Sequence, residues 1–380
     1  MQIEQRYFIP GEGWRPSTAP ALGAAADWVL VFGSRERVAD ARLFRQVRAW
    51  YPEAHLMLGS TSGEILDTEV SDDRLTVTAV RFAHTRIRAT SIRIDEVADS
   101  FAAGRMLAER LAAPEPALVF VVSDGHFVNG SALAQGFNRR LPPGALLTGG
   151  LAGDGVRFER TLVGLDALPT EGVIAAVGFY GDRLRVGFGS SGGWAPFGPV
   201  RRITRSEANV LYELDGRSAL ALYKRYLGEL AEGLPGAALR FPLCIWTPDG
   251  DRTLVRTILS IDEENQSMTF AGDVPTGARA RFMRASYEDL VDGAAYAAEH
   301  CVRDSRIENA ELAICVSCWG RKLVLGQRTE EETEVVREML GTQPVITGFY
   351  SYGELAPPES AEWCELHNQT MTITIMKEIE

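Results

Sequence analysis

The chain of 380 residues carries 39 basic and 51 acidic side chains, a formal charge of −12, with 46% hydrophobic and 24% charged residues. At about 100–200 residues per domain this length suggests two or three domains with ample core, and the composition excludes a disordered chain. The acidic balance argues against a general nucleic-acid binder or a binder of anionic membranes, since both need a positive face, and the one cationic cluster, Arg201-Arg202-Ile203-Thr204-Arg205, is too short to change that.

The first twenty residues are polar and turn-rich, without the charged-then-apolar order of a signal peptide. An internal repeat follows. Residues 26–34 read as a buried strand ending in Gly33-Ser34, residues 38–51 as a helix with Leu43, Phe44, Val47 and Trp50 on one face, and residues 56–58 as a strand running into Gly59-Ser60-Thr61-Ser62-Gly63-Glu64. The same order returns from residue 117, with Ser123-Asp124-Gly125, a helix near 131–141, and a strand into Gly149-Gly150-Leu151-Ala152-Gly153-Asp154. It returns again from residue 312, with Ser317-Cys318-Trp319-Gly320, a helix over 330–340, and a strand into Gly348-Phe349-Tyr350-Ser351-Tyr352-Gly353-Glu354. Each copy has the length of a βαβ unit, which implies parallel pairing and a right-handed crossover. Further amphipathic helices are expected near 97–111, 222–230 and 287–302. The apolar runs 117–122 and 173–177 are strand-sized, far below the roughly 20 residues of a membrane helix. The expected fold class is α/β, with repeated βαβ units in two related lobes with mixed sheets, and the Gly-, Pro- and Arg-rich stretch 187–205 is the expected boundary between halves.

In parallel βαβ units ligands gather at the carboxyl ends of the strands, and here those ends carry small and polar residues. Glycines there let backbone amides approach a ligand, and the acids Glu64, Asp154 and Glu354 could receive ammonium or hydroxyl groups. The alternative is that the glycine–acid sequence turns the chain while the acid caps a helix or loop.

Enzyme-like patterns fail on context. Gly187-x-Gly189-x-x-Gly192 has the dinucleotide spacing, but Trp194-Ala195-Pro196-Phe197-Gly198-Pro199 cannot open the required helix. Gly189-Ser190-Ser191-Gly192-Gly193 has the spacing of a hydrolase elbow, which demands a strand-to-helix turn and here would need the distant His367. Cys315, Cys318, Cys364 and His367 formally make a zinc set, yet Cys315 and Cys318 lie three apart on a strand and point to opposite faces, so Cys315 reads as core and Cys318 as a strand-end residue. Five thinly spread cysteines fit a reducing compartment, and a cytoplasmic protein is expected. A hydrolase using Ser191, or thiol chemistry using Cys318, remains the alternative class of function. His367, in Cys364-Glu365-Leu366-His367-Asn368-Gln369-Thr370, could ligate haem iron, hydrogen-bond a small ligand, or satisfy local backbone groups. His126 stands second.

Several long segments, in order, resemble the FIST family (F-box and intracellular signal transduction proteins). Tyr212-Glu213-Leu214-Asp215-Gly216-Arg217, the run from Ser317 to Gly326, the run from Gly348 to Leu355, and the run from Cys364 to Thr370 are similar to segments of its C-terminal domain; Gly59 to Glu64 and Gly149 to Gly155 resemble glycine-rich turns of its N-terminal domain. The resemblance implies an N-terminal extension over 1–26, a FIST N-terminal sensory domain over 27–205 and a FIST C-terminal domain over 206–380. It also implies a non-catalytic module that binds small ligands, with amino acids proposed, and feeds bacterial signalling proteins. With no length left for an output domain, the output is expected to pass through a partner such as a histidine kinase or cyclic-nucleotide enzyme. Stand-alone members of the family include haem proteins that sense nitric oxide, which makes haem a candidate cofactor and His367 its candidate ligand. Together, repeat and resemblance point to Ser60, Ser62, Glu64, Ser123, Asp124, Asp154, Cys318, Tyr350, Tyr352 and Glu354 as the ligand-binding residues.

Overall fold

The structure, a computed structural model, describes residues 1–234, 236–246, 253–358 and 363–379. Each sequence copy forms the expected parallel pair: Trp28–Gly33 with His55–Ser60, Leu118–Ser123 with Leu146–Leu151, and Leu312–Cys318 with Val345–Ser351. The crossovers are helical. Asp40 caps helix Ala41–Trp50 by accepting from the Arg42 amide, and Asn129 caps helix Gly130–Asn138 through the Ala132 amide. The first crossover also holds the short helix Arg35–Val38, and the third contains Trp319–Leu325 and Glu330–Leu340. A third strand lies antiparallel to each pair: Leu75–Arg81, Val173–Tyr180 and Met371–Glu378.

The three sheets interlock. After its glycine-rich turn each unit sends a short strand into a neighbour: Glu64–Leu66 pairs with Val345–Ser351, Val163–Leu165 with His55–Ser60, and Gly353–Ala356 with Leu146–Leu151. Two longer strands travel the other way round, Arg86–Arg93 to Val173–Tyr180 and Leu184–Ser191 to Met371–Glu378, while the N-terminal Gln2–Ile9 pairs with Leu75–Arg81 of the first unit. The exchange is cyclic, so every unit both gives and receives strands. Alternation along the strands decides which residues face the centre. Trp28 and Phe32 of the first unit, Phe120 and Val122 of the second, and Val316 and Phe349 of the third fill one shared core, while Val29, Val119 and Ala313 face outward under the helices. Buried on both faces, these strands read as the continuous apolar runs seen in the sequence.

Between Leu184–Ser191 and helix Tyr287–Ser305 the chain builds a fourth, antiparallel sheet, of eight strands among the described residues, beginning with Ala195–Glu207 and ending with Arg279–Arg284. Its own core includes Leu211, Tyr223, Phe270 and Phe282. The run of glycines before it serves packing. A Cβ on Gly189 would meet the Ala297 carbonyl oxygen at 2.0 Å, and one on Gly193, at φ +70°, would meet the Asp289 carbonyl at 1.8 Å. The spacing that resembles a dinucleotide fingerprint is therefore the groove in which helix Tyr287–Ser305 lies. No described helix is long and apolar enough to cross a membrane.

One buried ion pair ties the inserted sheet to the third unit. Arg321 and Glu332 are both fully buried, with Arg321 Nε and Nη2 at 3.0 and 2.8 Å from Glu332 Oε2. Ser317 and Tyr350 donate to Oε1 at 2.9 and 2.5 Å. The guanidinium also donates to the carbonyls of Gly192 and Leu290, both at 2.7 Å, where the chain leaves for the inserted sheet and where it has returned. Removing one partner leaves the other charge buried and unpaired. Arg321→Met is expected to cost about 3–5 kcal/mol by urea denaturation, and the paired replacement Arg321→Met with Glu332→Leu less than the sum of its parts.

Candidate functional site

A cavity of about 680 Å³ opens where the second unit, the third unit and the inserted sheet meet. The second unit contributes the loop from Gly125 to Gly130, the third contributes Cys318, Trp319, Gly320, Ser351 and Tyr352, and the inserted sheet contributes Leu239, Thr257, Leu259 and Phe270. Phe158 completes the aromatic wall.

The loop from Gly125 is shaped by Asp124. One carboxylate oxygen accepts from the amides of His126 and Phe127, at 2.8 and 2.7 Å, and the other from the Gly172 amide at 2.9 Å. Gly125 is required because a Cβ there would lie 2.0 Å from the Ala152 carbonyl oxygen. Asp124 thus holds its loop in place, spending its oxygens on the protein. On the other side Phe158 stacks on Tyr352, with centroids 4.7 Å apart and rings 17° from parallel, and Trp319 meets Phe158 edge-on at 4.9 Å. The Tyr352 hydroxyl donates to the Asp154 carboxylate and lies 2.8 Å from the Gly155 carbonyl oxygen. Burial, reinforced by Asp154, pushes the Tyr352 phenol up, so it stays protonated. Cys318 sits at the strand end, on the cavity wall as its register requires, while Cys315 is in the core under helix Glu330–Leu340. Burial pushes the Cys318 thiol up as well, keeping it from the nucleophilic thiolate form.

Beside these groups stand polar atoms without a hydrogen-bond partner among the described residues. Thr257 Oγ1 is one, on the cavity wall. Gln369 Oε1 is another; its side chain lies against Gly320 and donates to the Leu239 carbonyl at 3.2 Å, both wall residues. Both amide atoms of the adjacent Asn368 are also unpartnered. Buried polar atoms are nearly always paired, so these atoms stand out beside the cavity.

Of the ten residues singled out in the sequence, Cys318 and Tyr352 line this cavity. The others are buried and bonded to protein. Glu64 accepts from Thr61, Ser71 and the Arg74 amide, at 2.6, 3.0 and 3.1 Å. Glu354 accepts from Ser351 at 2.5 Å and from the Thr370 hydroxyl and amide at 2.9 and 3.2 Å. Asp154, the aspartate of the second copy, instead takes Arg35 at 3.3 Å, the amides of Glu159 and Arg160, and Tyr352. Ser60 accepts from the Leu162 amide, Ser62 from the Gly155 amide, Ser123 donates to the Asp124 carbonyl, and Tyr350 is committed to Glu332. These residues pin the turns at which strands pass from one sheet to the next. Sequence reasoning missed Phe127, Phe158, Trp319, Leu239 and Thr257. The available signal was an aromatic just past a strand-end glycine or cysteine, as in Gly125-His126-Phe127 and Cys318-Trp319.

The FIST N domain matches residues 27–217 and the FIST C domain matches residues 219–357. The chain belongs to the FIST family. FIST domains are sensory domains of signal transduction. A search of curated proteins finds no match. The two FIST matches meet inside the inserted sheet, so the cavity is built jointly: Phe127, Phe158 and Asn209 come from FIST N, and Leu239, Thr257, Trp319 and Tyr352 from FIST C.

Haem, which the resemblance brought forward, fits this arrangement poorly through His367. That residue is not part of the cavity wall, and its Nε2 lies 3.0 Å from the Ala356 carbonyl oxygen. Nor does Ser191 stand on an elbow: it pairs with Met371 within a strand, and the chain continues into another strand. Among the described residues no group of His, Cys, Asp and Glu is arranged to hold a metal ion.

Burial raises Glu64 from its ordinary 4.5 to about 7 and Glu354 to about 8, despite their hydroxyl and amide donors. The folded state therefore holds these protons more tightly than the unfolded chain. Their contribution to stability is complete below about pH 4.5 and is lost as pH rises through about 8. The urea midpoint is expected to fall across that window, and Glu354→Gln, which mimics the protonated form, should flatten the fall.

Proposed function

We propose that this FIST protein is a sensory module without catalytic chemistry of its own, which binds a small molecule in the cavity between the interlocked units and the inserted sheet and signals through a partner such as a histidine kinase or cyclic-nucleotide enzyme. The observation that carries this reading is the cavity itself, of a size that suits a metabolite, with a Thr257 hydroxyl at its wall that has no partner among the described residues. A non-enzymatic role is supported by a Cys318 thiol held protonated and by Ser191 lying within a strand. The five unbridged cysteines support a reducing, cytoplasmic setting.

Besides the Arg321 bonds, hydrogen bonds nearer the cavity cross the seam that the ligand would bridge. Arg256 of the inserted sheet donates to the Leu366 carbonyl at 2.9 Å, Asn129 to Asp273 at 3.3 Å, and Trp194 to the Gln369 carbonyl at 2.8 Å. A molecule touching both sides stabilises one setting of the sheet, and a partner resting on that sheet would read the change.

A thermal-shift screen with amino acids, neutral metabolites and haem tests the reading. Binding to the folded state raises the melting temperature by mass action, and the rise should vanish in Ser260→Trp, which plugs the cavity from an exposed position. No shift from any compound at about 1 mM would count decisively against it, since even weak ligands stabilise at that concentration.

A further inference from the structure

We propose that the cavity selects an uncharged, flat aromatic molecule with hydrogen-bonding groups on its edge, and discriminates against free amino acids; the proposal rests on the sensory reading above and names the ligand class for the same site.

The first support is the absence of charge. No Asp, Glu, Lys or Arg is among the described residues that line the cavity; its titratable groups are His126, Cys318 and Tyr352. A zwitterion would bring an ammonium and a carboxylate out of water with no ionic partner for either, which is costly. Charges behind the wall are already engaged. Arg256, which lies against Gly272, donates to the carbonyls of Asp273 and Leu366. Asp124 accepts three backbone amides, and Asp154 is held by Arg35 and Tyr352. The N-terminus of helix Gly130–Asn138, the other place where a carboxylate could settle, is capped by Asn129.

The second support is the wall's surface. Phe158 and Tyr352 already form a stack, with Trp319 at its edge, and Phe158 remains 38% exposed. Phe127, in the loop from Gly125 to Gly130 that also lines the cavity, is 54% exposed. Large aromatic rings left open around a cavity offer flat apolar area, and a flat guest extends a stack where a round or flexible one does not. The third support fixes the edge chemistry. The Thr257 hydroxyl on the wall can donate or accept and lacks a partner among the described residues. A purely hydrocarbon guest would leave it unpaired.

Matched probes separate the ligand class from the sensory reading. 3-Methylindole and L-tryptophan share one ring system and differ by the ammonium and carboxylate; lumichrome adds a larger neutral ring with imide and ring-nitrogen edges. Calorimetric titration of the full chain should show 3-methylindole binding at least about tenfold more tightly than L-tryptophan, and lumichrome more tightly still. Phe127→Ala, at an exposed position that leaves the fold intact, should weaken lumichrome about tenfold. Thr257→Val, nearly the same shape, should weaken it about fivefold. Equal or tighter binding of L-tryptophan, abolished by Ser260→Trp, would overturn the ligand class while leaving the sensory reading in place. Binding of neither neutral probe would also overturn the class, and the broader thermal screen then decides the sensory reading separately. Neutral-probe binding unchanged by Phe127→Ala, Thr257→Val and Ser260→Trp would place the guest elsewhere and overturn the proposal for this cavity.

Discussion

The Arg321–Glu332 pair is the constraint on which the rest of the molecule depends. It is fully buried, and its worth lies in what it joins: the two crossover helices of the third unit, the strand ends at Ser317 and Tyr350, and the carbonyls of Gly192 and Leu290 on either side of the inserted sheet. A buried ion pair adds little net stability compared with apolar residues of the same shape, but breaking it is expensive, so it enforces one arrangement over near alternatives. Here that arrangement sets helix Trp319–Leu325, whose first residues form the cavity wall, in a fixed relation to the sheet that forms the opposite side. The geometry of the cavity follows from a charge pair that never touches it.

Local order was legible in the sequence, and long-range pairing was not. Helical periodicity at 38–51 and 287–302 corresponds to helices Ala41–Trp50 and Tyr287–Ser305, and the three repeats form the parallel pairs their length demands. The cyclic exchange of strands left no such trace. Glu64–Leu66 and Gly353–Ala356 are short segments whose partners belong to other units, and nothing in a stretch of that length specifies which sheet edge it will join. Within the inserted sheet, register shifts around Arg205 and Ser260 blur the period-two pattern.

At the strand ends, the structure brings two of the residues singled out in the sequence to a cavity and bonds the acids to protein groups. Small residues and glycines mark strand ends well, and Cys318 and Tyr352 do reach the cavity. The acids follow the turn that carries the chain into the next sheet, and a carboxylate at such a crossing finds hydroxyls and amides at close range. Thr61 with Glu64 and Ser351 with Glu354 repeat one hydroxyl–carboxylate pairing three residues apart, so two copies share a solution that the second copy, with Arg35 and Asp154, replaces by an ion pair. The aromatic wall was missed because Phe127, Phe158 and Trp319 lie in loops or at a helix start, where no periodicity distinguishes a wall from an ordinary surface.

A division of labour follows from this distribution of charge. Ionised groups hold the scaffold: Arg321 with Glu332 at the inserted sheet, and Arg35 with Asp154 at the second turn. Among the described residues that line the cavity there are rings and polar side chains but no Asp, Glu, Lys or Arg. A charged wall would pull the Trp319 helix and the inserted sheet together with or without a ligand, since desolvated ion pairs interact strongly across a few ångströms. Beside the cavity, and in addition to the Arg321 bonds, the seam is crossed by hydrogen bonds of Arg256, Asn129, Trp194 and Gln369, each of modest net worth. Stacking area and one or two new hydrogen bonds from a guest are of the same order as those contacts. A sensor needs that balance, because a ligand shifts an equilibrium only by its differential affinity for the two states.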